Sequence, residues 1–234
     1  MAVPEFRADA RGHEAPGSIA VLPPRRERLA IVSTRNVLCG IAAYTHALER
    51  QLAELFEVTV FDLDQYLLRG AHSRARALGD KHIKDICRAI SGFDVVNLQL
   101  EYGTLGRSAK DICRRFAWLV AAAPRLSVSL HSLKRPSVFP IADFAKAVLA
   151  VRWRTARDIA AAFSHNRQLA LNIPKQLRRA QRRKTVSVIA HNRRDRSDAD
   201  HLTASIVFLT IRWRFCPGAR PTPFGVSPPG SASR

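Results

Sequence analysis

The sequence contains no long hydrophobic run. None of its 234 residues belongs to a stretch of about 18 consecutive apolar residues, the length that a membrane-spanning helix requires. Residues 1–27 are rich in Pro, Gly, Arg and Glu and lack the apolar core of a secretory signal peptide. These absences predict a cytoplasmic protein, and they leave open a peripheral contact with the inner face of the membrane.

Cysteine is scarce and widely spaced. The four cysteines are Cys39, Cys87, Cys113 and Cys216, and no two of them form a C-x-x-C pair. This spacing supports neither a disulfide framework nor a zinc site, so we expect no metal. Cys87 and Cys113 fall on the apolar faces of predicted helices, where cysteine usually packs as a small hydrophobic residue.

Two phosphate-binding motifs are missing. The sequence has no G-x-G-x-x-G fingerprint for dinucleotides and no G-x-x-x-x-G-K-[ST] loop of the P-loop nucleotidases. We therefore expect no bound cofactor.

Acidic residues are outnumbered, with 19 Asp and Glu against 38 Lys and Arg, for a formal net charge of +19. Between residues 175 and 196 nine basic residues accompany a single acidic one. We call the centre of this run the basic surface, and it consists of Arg178, Arg179, Arg182 and Arg183. Such a surface can bind anionic lipid or nucleic acid by counterion release. It is equally typical of a solvated helix face or of a face that another domain covers. The run has no aromatic residue on which bases could stack, which disfavours nucleic acid.

Short apolar runs alternate with segments of helical periodicity along most of the chain. The predicted strands are residues 29–32, 57–63, 94–100, 126–131 and 185–190. The predicted helices begin at Ile41 and then span about 83–90, 108–122 and 139–164, with a mixed loop or short helix at 64–79. This alternation predicts an α/β protein, a single Rossmann-like domain whose parallel sheet has helices on both faces.

The first strand leads through Cys39, Gly40 and Ile41 directly into the first helix. Free backbone N–H groups at a helix start attract anions, phosphates above all, so this turn predicts a site for a phosphorylated ligand. The same turn occurs in many doubly wound proteins without any ligand.

Polar residues follow each predicted strand. They include Arg35, Asn36, Asp62, Gln99, Glu101, Tyr102, His131, His191 and Asn192. Because ligands of parallel sheets lie beyond the carboxyl ends of the strands, this edge is the predicted site.

Three motifs in order resemble one enzyme family. They are Cys39-Gly-Ile-Ala42 followed by Tyr44-Thr45, then Val95-Val-Asn-Leu-Gln-Leu-Glu-Tyr-Gly103, then Val128-Ser-Leu-His-Ser132. Over about residues 28–198 the sequence resembles the N-terminal domain of retaining glycosyltransferases of family four, which have the GT-B fold.

The resemblance implies glycosyl transfer, with retention, from a nucleotide-sugar to a glycan or lipid-linked acceptor. It implies that the loop of Cys39, Gly40 and Ile41 approaches the donor diphosphate. It also implies that His131 faces the transferring sugar and that Glu101 and Tyr102 line the acceptor side.

The flanking segments depart from the family pattern. Residues 1–27 show no sustained periodicity, and residues 199–234 carry five prolines and no Asp or Glu after His201. We expect both ends to be disordered, the second of them as a tail unrelated to the family. Because GT-B enzymes place most nucleotide contacts in a second domain, we expect a truncated enzyme that is inactive or weak alone. The alternatives are a subunit completed by a separate donor-domain chain and a basic module for anionic membrane or nucleic acid.

Overall fold

A five-stranded parallel sheet forms the centre of the molecule. The computed structural model describes residues 25–132, 134 and 136–190. The strands are β1 Arg28–Ser33, β2 Glu57–Asp62, β3 Val95–Leu100, β4 Leu126–Leu130 and β5 Val186–Ala190. Their spatial order is β2-β1-β3-β4-β5, and every adjacent pair is parallel. The predicted α/β class, with a single Rossmann-like sheet, is confirmed.

Six helices lie in the part of the chain that the structure describes, where they connect or flank the strands. They are α1 Gly40–Leu52, α2 Gln65–Leu68, α3 Ser73–Ile90, α4 Ala109–Ala122, α5 Ile141–Leu149 and α6 Trp153–Gln181. A single 3₁₀ turn, Tyr102–Thr104, follows β3. Side chains cap the start of α1, α2 and α4, from Cys39, Asp64 and Ser108 respectively.

The two faces of the sheet are covered by different helices. Alternate residues of β1 point to opposite faces. Ala30 and Val32 belong to the main core with side chains of α3, α4 and α6, such as Ile83, Phe116 and Leu169. Ile31 packs on the other face with Leu48 of α1. Helices therefore lie on both faces, as predicted.

The face that α1 covers changes from apolar to polar across the sheet. Val95 of β3 packs into the α1 cluster, so Asn97 and Gln99 point to the same side. Their neighbours in register on β4 are Ser127 and Ser129. Asn97, Gln99 and Ser129 are nevertheless buried, and their amides and hydroxyls bond one another.

A buried arginine joins three parts of the opposite face. The side chain of Arg115 on α4 is fully buried, and its Nε donates to Asp80 Oδ1 of α3 at 2.8 Å. Its Nη1 donates to the carbonyl oxygens of Leu68 and Leu105, each at 2.9 Å. Arg114 also bonds Asp80, at 2.6 Å. One guanidinium thus fixes the end of α2 and the loop after β3 against α3.

Two predicted segments differ from the structure. Residues 64–79 are largely helical, because α2 begins after its Asp64 cap and α3 begins at Ser73 rather than near residue 83. The predicted helix at 139–164 is two helices, broken where Val151 takes a left-handed φ of 56°. The second of them, α6, continues to Gln181 through Pro174, well past the predicted end.

The predicted disordered ends fall almost wholly outside the described residues, as do Cys216, His191 and Asn192. Within the part of the chain that the structure describes, no helix is both long and apolar enough to cross a membrane. The same residues contain no group of three or more His, Cys, Asp or Glu arranged to hold a metal ion.

The Asp80 carboxylate predicts how stability depends on pH. Burial acts to raise the pKa of Asp80, but hydrogen bonds from Arg114 and Arg115 outweigh it, so the pKa is lowered from 3.8. A carboxyl with a lowered folded-state pKa stabilises the fold above its unfolded value, and this contribution is lost as pH falls through the folded value. We expect Asp80→Asn to cost on the order of 3 kcal/mol at pH 7, because it leaves Arg115 buried without a counter-charge. We expect a smaller loss at pH 3.

Urea denaturation at both pH values measures this difference. Asp158→Asn is the control, because the Asp158 side chain is 74% exposed, and it should leave the free energy of unfolding unchanged. An equal loss for Asp80→Asn at pH 7 and pH 3 would contradict the assignment.

Candidate functional site

The strand order of the sheet reverses between β2 and β3, which lie on opposite sides of β1. The carboxyl ends of these strands form the candidate site. β1 lies between β2 and β3, so the chain leaves β1 toward one side and later returns to the other. Such a switch point opens a crevice beyond the strand ends, where ligands of doubly wound folds bind. The loop before α1 and the residues after β3 and β4 surround this crevice.

The start of α1 offers backbone donors and open space. The Sγ of Cys39 accepts from the N–H of Ala42 at 3.4 Å and lies 3.5 Å from the hydroxyl of Thr34. Burial acts to raise the pKa of the Cys39 thiol, but these contacts outweigh it and lower the pKa. The helix start therefore favours negative charge at this position. A Cβ built on Gly40 would meet nothing within 4 Å, so a ligand can approach its backbone.

Asp62, at the end of β2, holds the loop that leads to α1. Its two carboxylate oxygens accept from the backbone N–H of Arg35 at 2.7 Å and from the side-chain amide of Asn36 at 2.8 Å. The Arg35 guanidinium pairs with Glu49 of α1 at 3.2 Å. These polar residues therefore serve to position the loop.

His131 lies beside α1 as well as at the end of β4. Its backbone N–H donates to the carbonyl of Leu100 at 3.1 Å, which extends the β3–β4 ladder. Its ring meets the ring of Tyr44 edge-on, with centroids 5.2 Å apart. Tyr44 is about one helical turn from Gly40, so the histidine and the α1 start border the same crevice. Burial raises the pKa of Tyr44, against the effect of a hydrogen bond to Ser129.

The buried polar ladder fixes the orientation of the His131 ring. The Gln99 amide nitrogen donates to Asn97 and, at 3.2 Å, to Ser129. Its carbonyl oxygen is left to accept, and it lies 2.7 Å from His131 Nε2. A neutral His131 consequently carries its proton on Nε2, and Nδ1 is its acceptor nitrogen.

Glu101 and Tyr102 line a cavity that the structure shows after β3. Tyr102 packs in the main core, where burial raises its pKa to about 12, and its hydroxyl accepts from the backbone N–H of Lys134 at 3.5 Å. Both residues line a cavity of about 270 Å³ whose lining does not include His131, Cys39 or Gly40. The structure thus places the two predicted subsites side by side rather than in one pocket.

The sequence analysis missed most of the residues of this cavity. Arg69, Arg107, Lys134, His165 and Asn166 also line it. Arg69, Arg107 and Lys134 lie in three different loops, and His165 and Asn166 lie in a helix that was predicted to end near residue 164. None of these residues belongs to a recognisable sequence motif.

The basic surface lies at the opposite edge of the sheet. Its four arginines are exposed near the end of α6, just before β5 begins at Val186. Three of them line a groove of about 710 Å³ with Gln176 and Lys184. The ammonium of Lys184 donates to the last carbonyls of α4, and burial lowers its pKa. The basic surface is therefore separate from the candidate site.

Comparison with known proteins adds no assignment. No protein-family model matches the sequence, and no curated protein matches it. Among solved structures, a β-glucosidase from Listeria innocua in complex with gluconolactone aligns at 14% identity, with a TM-score of 0.21. The alignment covers 47% of this chain and 17% of the β-glucosidase chain. The chain thus spans about a sixth of that protein, and a likeness this weak carries no argument.

The polar ladder predicts the tautomer of His131. We expect ¹⁵N spectra of the neutral imidazole to show a protonated Nε2 and an unprotonated Nδ1, and Gln99→Met to weaken that preference by removing the acceptor. Gln168→Met is the control, because Gln168 is an exposed glutamine whose amide bonds Ser164 within α6. A His131 protonated on Nδ1 in the native protein would contradict the ladder.

Proposed function

We propose that this domain is the acceptor-side half of a retaining glycosyltransferase that uses a nucleotide-sugar as donor. The observation that carries the proposal is the contact between Tyr44 and His131, which brings the start of α1 and the end of β4 to one crevice. The motif resemblance supports the same proposal. The start of α1 matches the diphosphate loop of the resembled family, and the end of β4 matches its histidine. The strand order supports it too, since the crevice lies at the switch point.

The start of α1 suits a leaving diphosphate. Breaking a sugar–phosphate bond develops negative charge on the phosphate oxygens, and fixed backbone donors stabilise such charge. Cys39 and Gly40 stand where the donor phosphates would approach the helix, and Ile41 contributes a backbone N–H that already acts on the Cys39 thiol. In this proposal the N–H groups hold the diphosphate before and after transfer.

His131 suits the sugar. In this proposal the ring, held by the hydrogen bond between its Nε2 and Gln99 Oε1, faces the hydroxyls of the donor sugar. The edge-on contact with Tyr44 and the bond to Gln99 hold the ring plane. His131 therefore orients the donor sugar, and Glu101 faces the acceptor, a glycan or lipid-linked molecule.

A nucleoside diphosphate tests the proposal directly. We expect uridine or guanosine diphosphate to bind the purified protein in calorimetry, and Gly40→Val to weaken that binding at least tenfold. The reason is that the new side chain occupies the open space through which the phosphates reach the backbone.

Gly92→Val is the matched control. Gly92 lies in the turn after α3, and a Cβ there makes only an ordinary 3.8 Å contact with Ala89. The proposal fails if Gly40→Val binds the diphosphate as tightly as Gly92→Val does, or if neither diphosphate binds the native protein.

A peripheral contact with an anionic membrane is a second candidate function. The observation that favours it is the junction of α5 and α6, where Leu149, Val151 and Trp153 are 84%, 68% and 63% exposed. Arg152 and Arg154 are exposed among them. Exposed apolar side chains interleaved with basic ones are typical of surfaces that enter a lipid headgroup layer. We propose this junction, rather than the basic surface, as the membrane contact.

Vesicle sedimentation distinguishes the two surfaces. We expect Leu149→Ser/Trp153→Ser to reduce binding to vesicles with 30% phosphatidylglycerol about tenfold, whereas Arg182→Gln/Arg183→Gln should reduce it much less. The reverse order would assign the contact to the basic surface. No binding of the native protein to such vesicles would remove the candidate.

A further inference from the structure

The cavity of about 270 Å³ beside Tyr102 combines three cationic side chains with few acidic ones. Arg69 follows α2, Arg107 follows the loop after β3, and Lys134 follows β4. His165 and Asn166 of α6 close the remaining side. We propose that this cavity is an oxyanion site that binds a phosphate monoester.

The charges of the cavity are not neutralised by the protein. Among the described residues, none of the three cationic side chains forms an ion pair within 4 Å. Glu101 is the one acidic residue in the lining. Counting Arg69, Arg107 and Lys134 against Glu101 gives +3 − 1 = +2, which matches a phosphate dianion. Arg69 and Arg107 are exposed at the rim of the cavity, and Lys134 is half-buried. The basic residues beside Asp80 and Asp111 differ, because Arg76, Arg114 and Arg115 are all paired with those carboxylates.

The size and donors of the cavity fit a phosphate group. About 270 Å³ is less than the roughly 300–1,000 Å³ of pockets that hold whole drug-sized ligands. It admits a phosphate and the first atoms of the group that carries it. Guanidinium groups bind phosphate oxygens in pairs of parallel hydrogen bonds, and the Asn166 amide is a further donor.

Arg115 holds two of the cationic residues in place. Its Nη1 bonds the carbonyl of Leu68, next to Arg69, and the carbonyl of Leu105, two residues before Arg107. Gly106 lies between Leu105 and Arg107 and has a φ of +157°. A Cβ on Gly106 would come within 3.2 Å of Arg115 Nη1. The backbone that carries both arginines is therefore anchored to the core, which fixes where their side chains leave the main chain.

His165 gives the site a neutral partner. Burial and the nearby Lys134 lower the pKa of His165. Among the described residues, Lys134 is the charged group that acts on its pKa, and Arg69, Arg107 and Glu101 line the same cavity. A bound dianion would offset these cations and raise the pKa of His165, which provides a spectroscopic signal of occupancy.

The inference names the acceptor class of the proposed function and, in that respect, rests on it. The cavity borders the crevice of His131 through the loop after β3, so a phosphorylated acceptor bound here would present its other end to the donor sugar. The acceptor is then a phosphate ester rather than a neutral glycan.

Glycerol 3-phosphate is the probe. We expect calorimetry on the full chain to show binding that Arg69→Gln/Arg107→Gln weakens at least tenfold. Arg50→Gln/Arg157→Gln removes the same charge from two exposed side chains outside the cavity lining and should leave the affinity unchanged. Gly103→Leu keeps all charges and adds a side chain to the cavity lining. Because a Cβ on Gly103 meets nothing within 4 Å, the leucine fits without a backbone clash, and we expect it to obstruct the cavity and abolish binding.

The His165 ring resonance should move on addition of the probe and its apparent pKa should rise, while neither change occurs in Gly103→Leu. Equal affinity in the cavity and control variants, or no binding to the native protein, overturns the inference. The outcome is separable from the proposed function, because Gly40→Val should leave glycerol 3-phosphate binding intact. Conversely, Arg69→Gln/Arg107→Gln should leave nucleoside diphosphate binding intact.

Discussion

The buried guanidinium of Arg115 is the contact on which the carboxyl edge of this protein depends. The Arg115 side chain is inaccessible to solvent, so its charge must be compensated within the protein. Asp80 supplies the counter-charge, and the backbone carbonyls of Leu68, Arg76 and Leu105 accept three further hydrogen bonds from the guanidinium. Losing one partner of such a buried pair costs about 3–5 kcal/mol, because the other charge stays unpaired.

The packing around Arg115 leaves no room for larger residues. A Cβ on Gly79 of α3 would lie 2.8 Å from the carbonyl of Leu67 and 2.9 Å from Arg115 Nη2. Glycine in a helix interior costs about 1 kcal/mol relative to alanine, so its use here reflects the close approach of α2 to α3. This close approach brings Arg69 to the carboxyl edge, where the cavity beside Tyr102 forms.

The part of the carboxyl edge around His131 depends on polar residues of the sheet rather than on Arg115. The face covered by α1 is largely apolar at β1 and β2 and becomes polar along β3 and β4 after Val95, where Asn97, Gln99 and Ser129 are buried. Because these groups satisfy one another, they are tolerated in the interior and impose one orientation on His131. The histidine and the cationic cavity thus depend on two separate buried polar networks, one on each face, whereas Asp62 positions the loop before α1.

The strands and their order of appearance could be predicted from the sequence, because buried parallel strands are continuous apolar runs bounded by turns. The loop at Cys39 and the strand-end His131 could be found for the same reason, since each directly follows such a run. The break between α5 and α6 at Val151 could not be predicted from the sequence. Neither glycine nor proline marks it, and a β-branched residue rarely takes a positive φ. The cavity lined by Arg69 and Arg107 could not be predicted from the sequence either. The Arg115 hydrogen bonds that assemble it join residues as far as 47 positions apart.

The central claim is that the carboxyl edge between β1, β3 and β4 is the ligand site. The most direct measurement is a map of backbone amide and histidine ring NMR shifts during titration with uridine diphosphate or guanosine diphosphate. The account predicts that the largest changes fall on the amides of Gly40, Ile41 and Ala42 and on the ring of His131. Changes concentrated on the basic surface at Arg179, Arg182 and Arg183, with the α1 start unaffected, would contradict it.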